Sequence, residues 1–292
     1  MRYRIVHQTT YDYTEPVTVS HNLVHLKPRD TFRQRLVAHE LTISPLPAAN
    51  HLRTDWFGNA AERFTVQERH QRLCIKASST VEVEPGDSPE PIRDLPWETV
   101  TGILRRNRSA EVSAAVEFAF ASPRIPLGEA FAEYARRELT PGRPLGEAAL
   151  ALTQRIHREF QYDPKATAVG TPVEQVLALR RGVCQDFAQV QLSCLRSLGL
   201  AARYVSGYLE TDPPPGQPRL QGADASHAWI AVFLPGHGWI DLDPTNGCRT
   251  GPRHVTVAWG RDFTDVSPMK GVILGGGNHA ITVAVDVVAE GE

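Results

Sequence analysis

The hydrophobic period of this 292-residue chain changes from helical to alternating just after Gly199. Before that point, one helix face is marked by Phe187, Val190, Cys194, Leu195 and Leu198, and Gly199 stands where a C-terminal cap glycine belongs. Three strand-like segments follow: ARYVSGYLE, SHAWIAVFL and GWIDLDP. A proline-glycine turn at 235–238 separates the last two and predicts a hairpin. This order predicts a helix packed against an antiparallel sheet.

The pattern of residues 1–85 predicts a separate antiparallel β-domain. Five short segments are β-branched or partly alternating: YRIVHQTTYDY, NLVHLKP, RLVAHELTIS, AERFTVQE and LCIKASSTVEVE. The sequence DWFGN at 55–59 supplies a hairpin turn between two of them.

The rest of the chain divides into three predicted parts. Residues 86–144 form a proline-rich linker and helical region, with a helix over 128–139. Residues 145–250 form the core, with further helices over 145–160 and 172–180. Residues 251–292 add strands around a glycine run at 275–277, and we expect them to pack on the core or on the N-terminal domain. The whole pattern predicts an α+β fold.

Composition excludes several classes of function. The net charge of −2 argues against nucleic acid or an anionic membrane as partner. No apolar run approaches the roughly 18 residues of a membrane span, and the alternating start MRYRIVHQTTYDYT does not resemble a secretory signal. The four cysteines include no CxxC pair, so we expect neither a disulfide framework nor a zinc knuckle. The expected compartment is the reducing cytoplasm.

Cys184 is the cysteine whose placement suggests chemistry. It follows Gly182 in RRGVCQDFAQ and opens the predicted helix. A helix N-terminus favours negative charge, and the thiolate is the nucleophilic form of cysteine. The backbone N–H of Cys184 is one of the unpaired donors of the first turn, so it is a candidate for half of an oxyanion hole.

A nucleophilic thiolate needs a base and a group that orients the base. Among 11 histidines, His227 stands at the start of a predicted strand, on the same face as Trp229. The returning strand of the hairpin carries Asp241 and Asp243 on one face, and periodicity does not separate them as the orienting carboxylate. Asp224 is also close in sequence, but three positions along a strand put it on the opposite face.

The other cysteines fit structural roles. Cys194 lies on the apolar face of the Cys184 helix, where a free cysteine packs like a small hydrophobic residue. Cys74 lies in a strand and Cys248 in a loop, and neither has an obvious base nearby in sequence.

Taken together, RRGVCQDFAQ, DASHAWIAVF and GWIDLDPTNG resemble the three motifs of the bacterial transglutaminase-like superfamily. The first 85 residues and the tail VAWGRDFTDVSPMKGVILGGG are similar to one bacterial branch of it. The resemblance implies a papain-like core that follows the N-terminal β-domain. By position it makes Cys184 the nucleophile, His227 the base and Asp243 the orienting residue.

The resemblance also implies a reaction class, which is cysteine-dependent acyl transfer on amide bonds through a thioester. The products would come from protein-glutamine amine transfer, from deamidation or from peptide hydrolysis, with a protein or peptide as substrate. We expect no cofactor and no metal, because no EF-hand loop is present. Tyr162 is placed either near the oxyanion site or in the core, and Trp229 either walls the cleft or packs inside.

Two departures from the family pattern leave the triad untouched. Family members often have histidine where Gln189 stands, and often an acidic residue where this chain has the apolar stretch 230–233. We expect these positions to affect the acyl acceptor or a partner surface. The alternative to an enzyme is an inactive binding or scaffold protein that keeps the fold. Sequence leaves the acyl acceptor and the oligomeric state open.

Overall fold

A computed structural model describes residues 1–84, 94–211 and 226–290 of the chain. The predicted proline-rich loop at 213–216 and Asp224 lie outside the described residues. The strands are β1 (Arg2–Val24), β2 (Gln34–Ser44), β3 (Ala49–Thr54), β4 (Ala60–Val66), β5 (His70–Val83), β6 (Gln161–Tyr162), β7 (Arg181–Gly182), β8 (Ala202–Leu209), β9 (Ser226–Leu234), β10 (Gly238–Asp243), β11 (Cys248–Arg249), β12 (His254–Gly260), β13 (Met269–Gly275) and β14 (His279–Glu290). The α-helices are α1 (Trp97–Arg106), α2 (Ala110–Val116), α3 (Glu129–Arg136), α4 (Leu145–Glu159), α5 (Val173–Leu179), α6 (Cys184–Ser197) and α7 (Phe263–Val266).

The N-terminal sheet is built around the long strand β1. Tyr3, Ile5 and His7 alternate inward, which gives β1 one buried face. On one side β1 pairs with β5 and β4, and on its other side with β14 and then β13, all antiparallel. The segments predicted as two strands, YRIVHQTTYDY and NLVHLKP, lie in or begin in this single strand, with an irregular register between Asp12 and Val17.

The strand β3 escaped prediction because all of its side chains are exposed, so it carries no alternating pattern. The predicted turn at 55–59 joins β3 to β4. Asp55 Oδ1 accepts the backbone N–H groups of Phe57 and Asn59 at 2.9 and 2.8 Å, which stabilises this turn.

A five-stranded antiparallel sheet forms the centre of the second half, in the order β11-β10-β9-β8-β12. The predicted hairpin is present, with Trp239 opposite Phe233 and Asp241 opposite Ala231. Helix α6 packs on one face of this sheet, and Gly199 ends it with a φ of +76°, as the cap pattern predicts. The α+β architecture predicted from the sequence is confirmed.

The C-terminal segment joins both halves of the molecule. β12 extends the second sheet, whereas β13 and β14 run along β1 of the first. One hydrophobic core contains Tyr3 and Val287 from the first sheet together with residues of α6 and β9. No helix in the described part of the chain is long and apolar enough to cross a membrane.

Candidate active site

Cys184 is the first residue of α6 and is partly exposed. The turn before it is held by Asp186, whose Oδ2 accepts the Val183 N–H at 2.9 Å and the Thr167 hydroxyl at 2.6 Å. This is one half of a capping box, in which the side chain at the third helical position accepts the backbone N–H of the N-cap residue. A Cβ at Gly182 would collide with the Asp186 carboxylate, so this close approach needs glycine.

Tyr162 lies beside this helix start. Strand β6 pairs in parallel with β7, and this places Tyr162 opposite Gly182, two residues before Cys184. The Tyr162 side chain is 52% exposed, so the alternative of a buried core tyrosine is wrong. Its ring meets Phe187 edge-on at 6.5 Å. Partial burial, and after it the charge of Cys184, raise the pKa of Tyr162, which shows that the phenol lies within electrostatic range of the thiol.

His227 lies between the thiol and a buried carboxylate. Its Nε2 donates to Asp243 Oδ2 at 2.7 Å, and the Cys184 thiol is close enough to help raise the pKa of His227. Because Nε2 is engaged by Asp243, Nδ1 is the ring nitrogen left for the thiol. The structure therefore brings together Cys184, His227 and Asp243, the three residues that the motifs single out.

The electrostatics of this group favour a charged imidazole. Burial alone would lower the pKa of His227, but the hydrogen bonds to Asp243 and Cys184 raise it to about 10. Burial would raise the pKa of Asp243, yet hydrogen bonds from His227, His254 and Asn246 hold it well below its usual range. The site is thus built to stabilise an imidazolium next to a carboxylate.

Two further residues hold Asp243, and the sequence analysis missed both. His254 Nε2 donates to Asp243 Oδ2 at 3.1 Å, and Asn246 Nδ2 donates to the same oxygen at 2.6 Å. Asn246 had a local signal, since an aspartate followed by a turn commonly bonds a residue two or three positions on. His254 had none, because it reaches Asp243 from another strand, β12.

The protonation state of His254 follows from its second ring nitrogen. The Gly251 backbone N–H donates to His254 Nδ1 at 3.1 Å, so Nδ1 is the acceptor and Nε2 carries the proton. His254 is therefore a neutral donor to Asp243.

The side chains of His227, Asp243 and His254 are also close enough to be considered as metal ligands, with their donor atoms within 4.8 Å of one another. The hydrogen bonds account for this grouping without a cation. Asp243 Oδ2 already accepts three donors, and His254 turns a protonated nitrogen towards it. The arrangement fits a hydrogen-bonded network rather than a metal centre.

Trp229 packs inside the protein and does not wall an open cleft. It is buried, and its Nε1 donates to Asp241 Oδ1 at 3.0 Å. Its ring lies 6.0 Å from that of His227 and 5.4 Å from that of His254. The two aspartates that periodicity left unresolved thus have different partners: Asp241 holds the indole, and Asp243 holds His227.

The remaining cysteines differ from Cys184 in their surroundings. Cys194 is fully buried in α6, and burial raises its pKa strongly. Burial, and after it the Asp243 charge, raise the pKa of Cys248. All four cysteines are free thiols.

The two departures from the family pattern lie in the interior. Gln189 is 4% exposed, and residues 230–233 are buried in β9. The expectation that these positions shape a partner surface is therefore wrong.

Comparison with known families agrees with this architecture. Residues 3–82 match the family described as bacterial transglutaminase-like N-terminal region. Residues 130–244 match the transglutaminase-like superfamily. The second match ends one residue after Asp243 and includes Cys184 and His227. The chain belongs to the transglutaminase-like superfamily, which confirms the resemblance read from its motifs.

Similar proteins include full-length relatives. An uncharacterized protein of Mycobacterium tuberculosis is 42% identical over 98% of this chain and 92% of its own length. A protein-glutamine gamma-glutamyltransferase of Pseudomonas aeruginosa is 36% identical, over 32% of this chain and 15% of that protein. A solved structure from Cytophaga hutchinsonii, provisionally named a cysteine protease, shares the fold at 20% identity, with a TM-score of 0.74 over 100% of this chain and 92% of that one.

Proposed function

We propose that this protein is a cysteine-dependent acyl-transfer enzyme that acts on amide bonds of a protein or peptide. The observation that carries the proposal is the position of His227, which bonds Asp243 through Nε2 and lies within electrostatic range of the Cys184 thiol. Cys184 at the start of α6 supplies the thiolate. Membership of a superfamily with a cysteine-dependent fold supports the same reading.

The chemistry proceeds in two steps. The Cys184 thiolate attacks the carbonyl carbon of the amide, and the His227 imidazolium gives its proton to the leaving amine. This breaks the C–N bond and leaves a thioester on Cys184. Water or a primary amine then attacks the thioester carbon, His227 takes the proton of the attacking group, and the thiolate is released. Asp243 stabilises the imidazolium and holds its ring.

The developing oxyanion needs hydrogen-bond donors. The backbone N–H of Cys184 has no helical partner because it lies in the first turn of α6. Tyr162 is the second candidate, since it lies beside the thiol and is exposed. We propose these two groups as the oxyanion site.

The first test is the pH dependence of iodoacetamide labelling, resolved by cysteine with mass spectrometry. In wild type, Cys184 should be labelled fast below pH 7, while Cys74 and Cys248 serve as internal controls. In His227→Ala, labelling of Cys184 should fall to the rate of an ordinary thiol, whose pKa is about 8.5. Equal labelling of Cys184 and the control cysteines in wild type would favour an inactive scaffold instead.

A second test identifies the acyl acceptor. Casein is incubated with the protein and a fluorescent primary amine, and amine incorporation, ammonia release and new peptide termini are measured. Incorporation shows transfer to an amine, ammonia without incorporation shows deamidation, and new peptide termini show hydrolysis. Any of these activities should disappear in Cys184→Ala. The cytoplasmic location inferred from the cysteines remains a prediction.

A further inference from the structure

A cavity of about 580 Å³ lies between the N-terminal β-domain and the core sheet. One wall comes from the segment 31–34 that leads into β2, together with Val83 at the end of β5. The facing wall comes from β8, β10 and β12, and includes Trp239 and Trp259. Cys184 and His227 are both described by the structure and neither lines this cavity. Its volume is in the range of pockets that hold small organic ligands.

Arg203 on β8 is the most unusual residue of this cavity. Its side chain is buried, with 8% of its surface exposed, and its guanidinium lies between two indole rings, 4.3 Å from the centroid of Trp239 and 3.7 Å from that of Trp259. Its Nε has no hydrogen-bond partner within the described residues. Burial lowers the pKa of Arg203 to about 9, against the opposing effect of the Asp241 charge. Burying a guanidinium without a hydrogen-bonded anion is costly, and this favours an anion as the partner of Arg203.

A second arginine approaches the same cavity from the other domain. Arg33 also has a buried Nε without a hydrogen-bond partner in the described part of the chain. Arg249 adds a third guanidinium at the more exposed side. Among the residues that the structure describes, no carboxylate lies within ion-pair distance of these three arginines.

One acidic side chain faces the cavity. This is Asp241, and its Oδ1 is already engaged by the Trp229 indole. His254, which also lines the cavity, is a neutral donor to Asp243. Three arginines and one carboxylate leave a net positive charge in a site that is partly shielded from water, where electrostatic attraction to an anion is strong.

We propose that this interdomain cavity binds a small organic anion. Its carboxylate or phosphate group would be held by the terminal N–H groups of the Arg203 and Arg33 guanidinium groups, and its apolar body would pack against the exposed ring of Phe32 in the cavity wall. The planar guanidinium fork is suited to carboxylate and phosphate oxygens. The aromatic rings supply the apolar contact surface that such ligands need. His254 links this cavity to the Asp243 hydrogen-bond network, but Cys184 and His227 do not line it, and binding there does not require turnover at Cys184.

The test compares three probes of the same shape on the full chain: benzoate, phenyl phosphate and the neutral benzamide. Binding is followed by tryptophan fluorescence and by the melting temperature. We expect at least one of the two anions to raise the melting temperature and to change the fluorescence, with benzamide inactive. The anion that binds more tightly shows whether the site prefers carboxylate or phosphate. Binding of benzamide as tight as that of both anions, or no binding of either anion at millimolar concentration, would overturn the proposal.

Variants locate the site. Arg33→Gln and Arg203→Met should each weaken binding of the better anion by about ten- to hundredfold, the loss expected for a hydrogen bond to a charged group. Arg35→Gln is the matched control. Arg35 lies two residues after Arg33, but its side chain is 68% exposed and pairs with Glu82. If Arg203→Met fails to fold, the affinity of Arg33→Gln for the anion still tests whether the anion binds in this cavity. Equal affinities of Arg33→Gln and Arg35→Gln would contradict the assignment. Since binding is the readout, the result does not depend on turnover at Cys184.

Discussion

At the residue scale, the choice between two aspartates decides how the proposed active site works. In the hairpin, Asp241 lies opposite Ala231 and Leu242 opposite Ile230, so the next position, Asp243, falls nearer the start of β9 where His227 stands. Asp243 reaches His227 diagonally, whereas Asp241 meets the indole of Trp229. Two residues of the same type on the same face therefore have different functions.

This difference predicts a contrast between two amide variants. Asp243→Asn removes the charge that stabilises the imidazolium, so the pH at which Cys184 becomes reactive to iodoacetamide should move upward, towards that of an ordinary thiol. Asp241→Asn should leave this pH profile close to that of wild type, because its side chain bonds the Trp229 indole and not His227. If the pH profile of labelling shifted in Asp241→Asn and not in Asp243→Asn, the orienting residue would be Asp241, and its assignment to Asp243 would be wrong.

We propose His254 as a positioning residue, because its side-chain hydrogen bond is made to Asp243, the partner of His227. His254→Leu removes one donor to the carboxylate, and we expect labelling of Cys184 at pH 6 to slow by about fivefold, the effect of one hydrogen bond of about 1 kcal/mol. His254→Gln offers an amide donor and should restore part of the rate. A loss of folding stability with an unchanged pH profile of labelling would show that His254 is only structural.

The ion pair of His227 and Asp243 makes folding stability depend on pH. The pKa of His227 is raised to about 10, so its contribution is complete below its unfolded value of about 6.5 and is lost as the pH rises towards 10. The depressed pKa of Asp243 gives a contribution that is present above about 4 and is lost as the pH falls further.

It follows that the difference in melting temperature between wild type and Asp243→Asn should be largest near pH 5–6 and should shrink towards pH 10. Thermal melts at a series of pH values and constant ionic strength measure this. A difference in melting temperature that stays constant across this range would mean that the ion pair of His227 and Asp243 does not contribute to folding stability.

At the element scale, close packing of neighbouring strands in the core sheet depends on one glycine, Gly207. Gly207 on β8 has no room for a side chain, since a Cβ there would collide with the Trp229 ring and with the Val255 carbonyl oxygen. Trp229 in turn contacts the rings of His227 and His254. The close approach of β8 therefore helps to position the histidines.

Gly207→Ala should reduce the free energy of unfolding by about 1–3 kcal/mol, the usual cost of overpacking. Gly102 provides the matched control, because it lies in helix α1 with open space around its Cα. Gly102→Ala should raise stability by up to about 1 kcal/mol through helix propensity. Urea unfolding of the two variants measures both changes, and equal effects in the same direction would refute the packing argument.

At the scale of the whole molecule, two side-chain amides join the N-terminal domain to the core. Gln34 accepts the Thr256 N–H at 2.8 Å and donates to the Thr256 carbonyl at 2.7 Å. Asn59 makes the same pair of bonds with Trp259, at 3.0 and 2.8 Å. Both amides bond to the backbone of β12, the last strand of the core sheet, as a neighbouring strand would.

The double variant Gln34→Ala with Asn59→Ala leaves four backbone groups of β12 without these partners. We expect a lower melting temperature and earlier amide exchange in β12, because unsatisfied buried groups each cost about 1–3 kcal/mol. Gln71→Ala serves as control, since Gln71 makes an exposed bond within the N-terminal domain. Unchanged exchange in β12 would show that the shared hydrophobic core alone holds the two halves together.

The sequence by itself predicted the order of most elements and singled out the two residues proposed as nucleophile and base. Hydrophobic periodicity is a local property, so it located helix α6 and strands β8, β9 and β10, and a glycine before Cys184 marked the helix start. It did not find β3, which is exposed on both faces, or the bonding of Asp243 by His254.

Only the tertiary structure decided the relations between distant segments. The partner of each aspartate depends on strand register and diagonal reach, and the exposure of Tyr162 depends on its pairing with residues 181–182. The positive cavity arises because Arg33 and Arg203, 170 positions apart in sequence, line the same cavity from the two domains. No local pattern encodes such contacts, because they are set by how the two sheets pack and not by the residues that flank each position.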